Sequence, residues 1–197
     1  MIYSDPMIIL VISLALLVAG IVYVIGVYNG LVGLREGVLV AWANIDVLLK
    51  QRHDELPKLI DTCKRYMQYE QETFEKVMRA RTSISQAQAS GDVAGVGAGE
   101  QRLRSVMGHL FAVAENYPQL KSDETFRALQ QRITTLEESL ADRRELYNEQ
   151  VNLNNIRVQV FPDSMVAGWF GFHSAHLLEF LAQEKADVEV GALFKAT

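Results

Sequence analysis

Residues Met7 to Val27 read MIILVISLALLVAGIVYVIGV. The run holds no charged residue, and apart from Tyr23 its only polar side chain is Ser13. At 1.5 Å per residue, ~21 residues make roughly 31 Å, the thickness of a hydrocarbon core. Lipid offers no partner for backbone N–H and C=O groups, so a spanning segment of this kind is forced to be helical. Tyr3 on one side and Tyr23 and Tyr28 on the other suit the two interfaces. A cleaved signal peptide would need a basic lead-in, a shorter apolar stretch and a small-residue cleavage site. No Lys or Arg precedes this run, and no A-x-A follows it. The segment is therefore expected to be a retained transmembrane helix. Gly20 and Gly26 lack GxxxG spacing, so the span shows no sign of tight pairing through glycines.

Charge predicts the orientation. The N-terminal tail, residues 1–6, carries Asp5 and no base, whereas Arg35, Lys50 and Arg52 follow the span. Positive-inside logic puts the N-terminus outside and the larger C-terminal part in the cytoplasm. The lone Cys63 forbids an intramolecular disulfide, which fits a reducing compartment. The formal net charge is −5, and no long basic run occurs. Nucleic acid is not an expected partner, because phosphate contacts need clustered Lys and Arg. With only four prolines and no convincing alternation of apolar and polar residues, the chain beyond the anchor reads as all-α.

The helix is predicted to continue past the membrane without a strong stop to about Thr82. Leu31, Leu34, Val38, Ala41, Ile45 and Leu48 follow at steps of three and four. After Arg52 the stripe resumes at Leu56, Leu59, Cys63 and Tyr66, then Phe74 and Val77. This is a narrow, coiled-coil-like seam, with Trp42 beside it as a packing anchor. Pro57 lies inside the run, removes one backbone hydrogen bond and clashes with the carbonyl of His53, so a kink is expected there. The alternative is a helix that ends at Glu55 and restarts; an apolar stripe that keeps its face past Pro57 favours the kink.

Composition changes at SGDVAGVGAG, Ser90 to Gly99, which reads as a flexible linker that reverses the chain. It lacks the lysine and the preceding strand of a phosphate-binding loop. A second helix is expected from about Glu100 to Glu115, stopped at Asn116-Tyr117-Pro118. Ser122 or Asp123 supplies an N-cap for a third helix, about Asp123 to Val160. Its seam is Phe126, Leu129, Ile133, Leu136, Leu140, Tyr147, Val151 and Val158, and Phe161-Pro162 ends it. The tail, residues 163–197, is aromatic-rich, with Trp169, Phe170, Phe172 and Phe180, and is expected to hold short helices and a frayed end from Gly191. It either caps the bundle or forms a sticky patch for a partner.

Several blocks together resemble the LemA family. The first is Tyr28-Asn29-x-Leu31-Val32, followed by Ala41-Trp42-x-x-Ile45-Asp46-Val47-x-Leu49-Lys50-x-Arg52-His53-Asp54-x-x-Pro57-x-Leu59. Ala112 to Lys121, with Glu115-Asn116-Tyr117-Pro118 at its centre, is another. Tyr147-Asn148 with Val151 and Asn154, running to Phe161-Pro162, and then Ala167-Gly168-x-Phe170-Gly171-Phe172 complete the set. The resemblance covers nearly the whole chain in order. It implies a membrane-anchored bacterial protein with a long antiparallel helical bundle, no accepted enzymatic activity, and a role in membrane organisation. Leu48 departs from the family's usual Gln and strengthens the apolar seam.

Physical chemistry assigns the same residues to structure rather than catalysis. Asp46, Lys50 and His53 share a helix face, and Asp46 can pair with Lys50. Arg52 and Asp54 are expected to set register against Arg143 or Asn154. His173, His176 and Glu179 have i, i+3, i+6 spacing but no HExxH, so a metal site is not assigned. Cys63 lies on the seam as a small core residue. Adjacent carboxylates such as Asp54-Glu55, Asp123-Glu124 and Glu137-Glu138 point about 100° apart on a helix and make no acid/base pair. No catalytic, cofactor-binding or metal-binding residue is therefore assigned. The structural or interaction residues are Tyr28, Asn29, Trp42, Asp46, Arg52, Asp54, Pro57, Tyr117, Pro118, Tyr147, Asn148, Asn154, Phe161, Pro162, Phe170 and Phe172.

The expected partners are membrane lipid, further copies of the chain, and a membrane or cytoplasmic protein. The seam from Leu31 to Leu48 is expected to lack an intrachain cover, which favours a homo-oligomeric scaffold over an adaptor; the alternative is a monomer whose aromatic tail folds back over that stripe. Topology has a direct test. Ser4→Cys should react with an impermeant thiol reagent on intact cells or on cells with only the outer membrane opened, and native Cys63 should not. The reverse pattern would overturn the cytoplasmic assignment.

Overall fold

The computed structural model of the chain describes residues 6–179. The expectations for Tyr3, Ser4, Asp5, Phe180 and the end from Gly191 lie outside the described residues. Among those described, the chain forms helices and no strand. They are α1 Pro6–Lys64, α2 Gln71–Ser90, α3 Val93–Ala114, α4 Pro118–Ser122, α5 Glu124–Gln159 and α6 Asp163–Phe170. The fold is all-α, as the patterning predicts. Two compact units are present among the described residues: one comprises residues 6–43 with Leu146–Ala175, the other Asn44–Glu145 with residues 176–179.

In the first unit, α1 is exposed throughout Pro6 to Tyr23, including every large apolar side chain of that stretch. This part of α1 is long and apolar enough to cross a membrane. Burial begins at Val27 and Leu31, which pack with Val166, Ala167 and Phe172. The C-terminal part of α5 runs antiparallel beside α1. Arg157 Nη2 lies 4.0 Å from where a Cβ on Gly30 would stand, and Gln150 Oε1 lies 2.8 Å from that point on Gly37. Seven residues up α1 thus match seven down α5, the spacing of a coiled-coil seam. The Trp42 and Tyr147 rings follow, 5.4 Å apart. The stripe predicted to be bare is therefore covered: Leu31 and Val38 are buried in this unit, and Ile45 is buried in the second. Sequence periodicity marks such a stripe but cannot show what returns to cover it.

In the second unit, Leu49, Leu56, Leu59, Ile60 and Cys63 of α1 are buried. Phe74 and Val77 of α2, Leu103 and Leu110 of α3, and Phe126 and Ile133 of α5 join them in the unit's core. The predicted run to Thr82 is interrupted: α1 stops at Lys64 and α2 starts at Gln71. No Gly or Pro marks this break. Tertiary contacts make it instead, with Met67 fully buried and Tyr66 donating to Asp123 Oδ2 at 2.9 Å. Asp123 also accepts from the Phe126 N–H at 3.0 Å and so caps α5. Those hydrogen bonds hold its carboxyl below the ordinary aspartate range, and the same contact holds the Tyr66 phenol above its own.

The predicted linker at 90–99 is corrected as well. Gly91 takes the left-handed conformation (φ 69°), with Asp92 N–H bonded to Ala87 O at 2.9 Å, and closes α2. Asp92 then caps α3 by accepting from Gly95 N–H at 2.9 Å. The remaining glycines are helical and serve close packing. A Cβ on Gly99 would stand 2.6 Å from Ile84 of α2, and one on Gly97 would stand 2.5 Å from the Glu179 carbonyl.

Pro57 lies inside α1, which continues through it. Its missing N–H leaves the His53 carbonyl without the usual helical partner. Arg81 of α2 donates its Nε–H to that carbonyl at 2.9 Å. Arg81→Met should therefore destabilise the full chain in detergent by about 1 kcal/mol. In a Pro57→Ala background the restored N–H takes the carbonyl and the loss should shrink. Equal losses in both backgrounds would show that Arg81 does not compensate for the proline.

Candidate functional site

The polar residues that the sequence singles out fall into two groups, one in each unit. In the second unit they gather on α1 between Asp46 and Pro57. Arg52 is nearly fully buried and forms an ion pair with Glu100 of α3, itself buried. One turn on, buried Glu55 accepts from Arg132 Nε of α5 at 3.0 Å and from Lys58 Nζ at 3.1 Å. Asp46, on the surface, accepts from Gln88 of α2 at 2.8 Å. Together with Arg81 on the His53 carbonyl, these contacts join one stretch of α1 to α2, α3 and α5. Arg104 of α3 and Glu137 of α5 add a pair at 2.6 Å.

Burial disfavours charge and pushes the Arg52 guanidinium down to about 10, still cationic near neutral pH. His53 is lowered too, first by burial and then by the Arg81 charge, so it is neutral there. A cavity of about 10 Å³, room for a single water, is lined by Arg52, His53, Arg81 and Glu100. It offers no space for a substrate. The expected register partners of Arg52, Arg143 and Asn154, are replaced by Glu100. Asp54 is exposed and takes no part in the buried cluster. Glu100 was missed because it directly follows the glycine stretch taken for a linker. The signal available was Asp92 as an N-cap, which carries the helix through the glycines.

In the first unit the site residues converge around Tyr28. Its ring stands edge-on to Phe170 at 4.9 Å and to Phe172 at 5.6 Å. Arg35 lies over the Phe172 ring at 5.8 Å. Buried Asn154 donates to the His173 carbonyl at 3.2 Å, while Asn155 exchanges two bonds with the backbone of Ala175. These amides pin residues 173–175, which are not helical, to α5. The helical spacing weighed for His173, His176 and Glu179 does not apply there. Among the described residues no group of three His, Cys, Asp or Glu side chains could hold a metal. Asp163 is buried between Arg157 and the Tyr23 hydroxyl, which donates at 2.7 Å. Burial raises the Tyr147 phenol beside Trp42.

The other singled-out residues act locally. Pro118 opens α4 at its first turn, with Tyr117 half-buried before it. Asn29 is exposed, Asn148 is half-buried, and Phe161 and Pro162 form the exposed turn between α5 and α6. Cys63 is fully buried and its thiol is pushed up to about 12. It will therefore resist thiol reagents on either side of a membrane, so the inside reporter should be an exposed position such as Tyr69→Cys.

A model of the LemA family matches residues 41–191. The chain is also similar to the magnetosome protein MamQ 2 of Paramagnetospirillum magneticum. The two are 24% identical over 193 residues, covering 86% of this chain and 71% of that protein. The magnetosome protein MamQ of Magnetospirillum gryphiswaldense is 23% identical over 186 residues, covering 83% and 68%.

Removing one partner of the Arg52–Glu100 pair leaves a buried unpaired charge. Glu100→Ala should cost about 3–5 kcal/mol in chemical denaturation of the full chain. Arg52→Met with Glu100→Leu should recover most of that loss. A Glu100→Ala variant as stable as the parent would show that the pair does not hold the helices together.

Proposed function

The chain belongs to the LemA family, and from that premise we propose a membrane-anchored helical scaffold that assembles with its own copies and organises or remodels the bacterial cell membrane. One observation carries this reading. A lipid-length apolar segment and the seam that packs against α5 and α6 in the first unit are parts of the same helix, α1, so the anchor runs without a break into what it holds. The span crosses once, with the N-terminus outside and the chain that follows the span on the cytoplasmic side. The polar contacts described above join or cap helices or fasten connecting segments to them, which supports a non-enzymatic role. Relatives that are magnetosome proteins by name support it further.

The covered seam means that contacts between copies must use other surfaces. Leu39, Val40, Leu146 and Leu153 of the first unit are exposed apolar side chains beyond the span. Confinement of copies to one bilayer raises their effective concentration for such contacts. A second reading is a membrane-tethered adaptor for a signalling or quality-control protein. An open groove at the α1–α2 break favours it, lined by Ile60, Met67, Tyr69, Phe74 and Met78.

Particle size separates the two. The full chain in nanodiscs or mild detergent should form closed or extended homo-oligomers, and Leu39→Glu with Val40→Glu should reduce their size. A strictly monomeric particle over a wide concentration range would end the scaffold reading and leave the adaptor in front.

A further inference from the structure

We propose that the α5–α6 turn and α6 form a wedge that inserts into the leaflet on the side of the helical units, a second membrane contact beside the span. The proposal rests on α1 crossing the bilayer. Depth is its first support. Tyr23 lies four residues before Val27, about 6 Å inside the end of the apolar run. Side chains on a helix tilt toward its N-terminus, so the Tyr23 hydroxyl reaches deeper still. That hydroxyl donates to Asp163, the first residue of α6, at 2.7 Å. At the other end of α6, Phe170 and Phe172 meet Tyr28, and Phe172 lies under Arg35. Thus α6 rises from below the hydrocarbon edge to the headgroup level, and the Val160-Phe161-Pro162 turn that precedes it is placed at its deep end.

The exposed face is the second support. Val166 and Ala167 pack on Val27 and Leu31. Away from that contact, Phe161, Met165 and Trp169 are 75%, 49% and 69% exposed. Met165 and Trp169 lie four residues apart on α6 and so share one face, with Phe161 exposed in the turn before it. A short helix that is apolar on the face turned from its support, beside a lipid-facing span, is solvated by acyl chains. The polar groups conform. Asp163 would be costly at this depth alone, and it is paired with both Arg157 and the Tyr23 hydroxyl. Arg157 is half-exposed and can extend its guanidinium toward the headgroups. A wedge confined to one leaflet expands that leaflet against the other.

Tryptophan emission tests this, since the chain holds two tryptophans, Trp42 and Trp169. The full chain is placed in phosphatidylcholine vesicles with or without bromine on the acyl chains. With Trp42→Phe, emission from Trp169 should fall by half or more in the brominated vesicles. With Trp169→Phe, emission from Trp42 should not change. Phe161→Trp in a background lacking both should be quenched most by bromines far along the chain. Vesicle flotation and thermal melts are recorded for each variant. Protein that floats and melts normally, with positions 161 and 169 unquenched, overturns the wedge while leaving the anchor intact. Shielding of those positions from aqueous iodide without bromine quenching also overturns it, in favour of a protein-covered face. Failure to float overturns the anchor and the wedge together.

Discussion

Arg52 and Glu100 are the pair on which the second unit depends. Neither charge has appreciable contact with solvent, so each is tolerable only in the presence of the other. The pair joins α1 to α3 at one register, since a shift of either helix by a residue would separate the charges in a low dielectric. Once that register is set, Glu55 meets Arg132 of α5, and Arg81 of α2 finds the carbonyl that Pro57 leaves open. The contribution of such a pair is alignment more than stability, because hydrophobic residues of the same volume can stabilise a core as well or better.

The first unit is held by a different chemistry. Its register comes from an aromatic cluster and from small residues that admit the partner helix, as at Gly37 against Gln150. Amide side chains of α5 then fasten the non-helical segment after α6 by bonding to its backbone. Such a segment needs side-chain partners, since it lacks the internal hydrogen bonds of a helix. Aromatic rings with a polar neighbour are also the residues suited to the boundary between lipid and water. Tyr28, Phe170, Phe172 and Arg35 can therefore serve as packing residues and interfacial residues at once.

Together these features give α1 three successive environments along one helix. Apolar side chains face outward on all sides up to Tyr23, then a seam faces α5 and α6, then a broader face meets several helices. A reaction centre would need polar groups left unengaged beside a space for substrate. In the cluster around Arg52 the guanidinium pairs with one carboxylate oxygen of Glu100, the other oxygen has no hydrogen-bond partner, and the space beside them has room for a single water.

The local sequence by itself determined the helical class, the apolar span, the seam residues and the stops at Tyr117-Pro118 and Phe161-Pro162. Each follows from short-range physics: hydrophobic periodicity, the missing N–H of proline, and the length a bilayer demands. The residues assigned to structure were legible as a set, but not their partners. Only the tertiary structure decided that α1 ends at Lys64, because buried Met67 and the Tyr66–Asp123 bond, rather than any breaker residue, terminate it. Only it decided that the glycines at 95–99 continue a helix, because their value lies in the close approach of Ile84 and the Glu179 carbonyl. The pairing of Arg52 with Glu100, and the cover over Leu31 and Val38, likewise join residues far apart in the chain. Periodicity shows that a face must be buried; which segment returns to bury it depends on loop closure and side-chain fit across that distance.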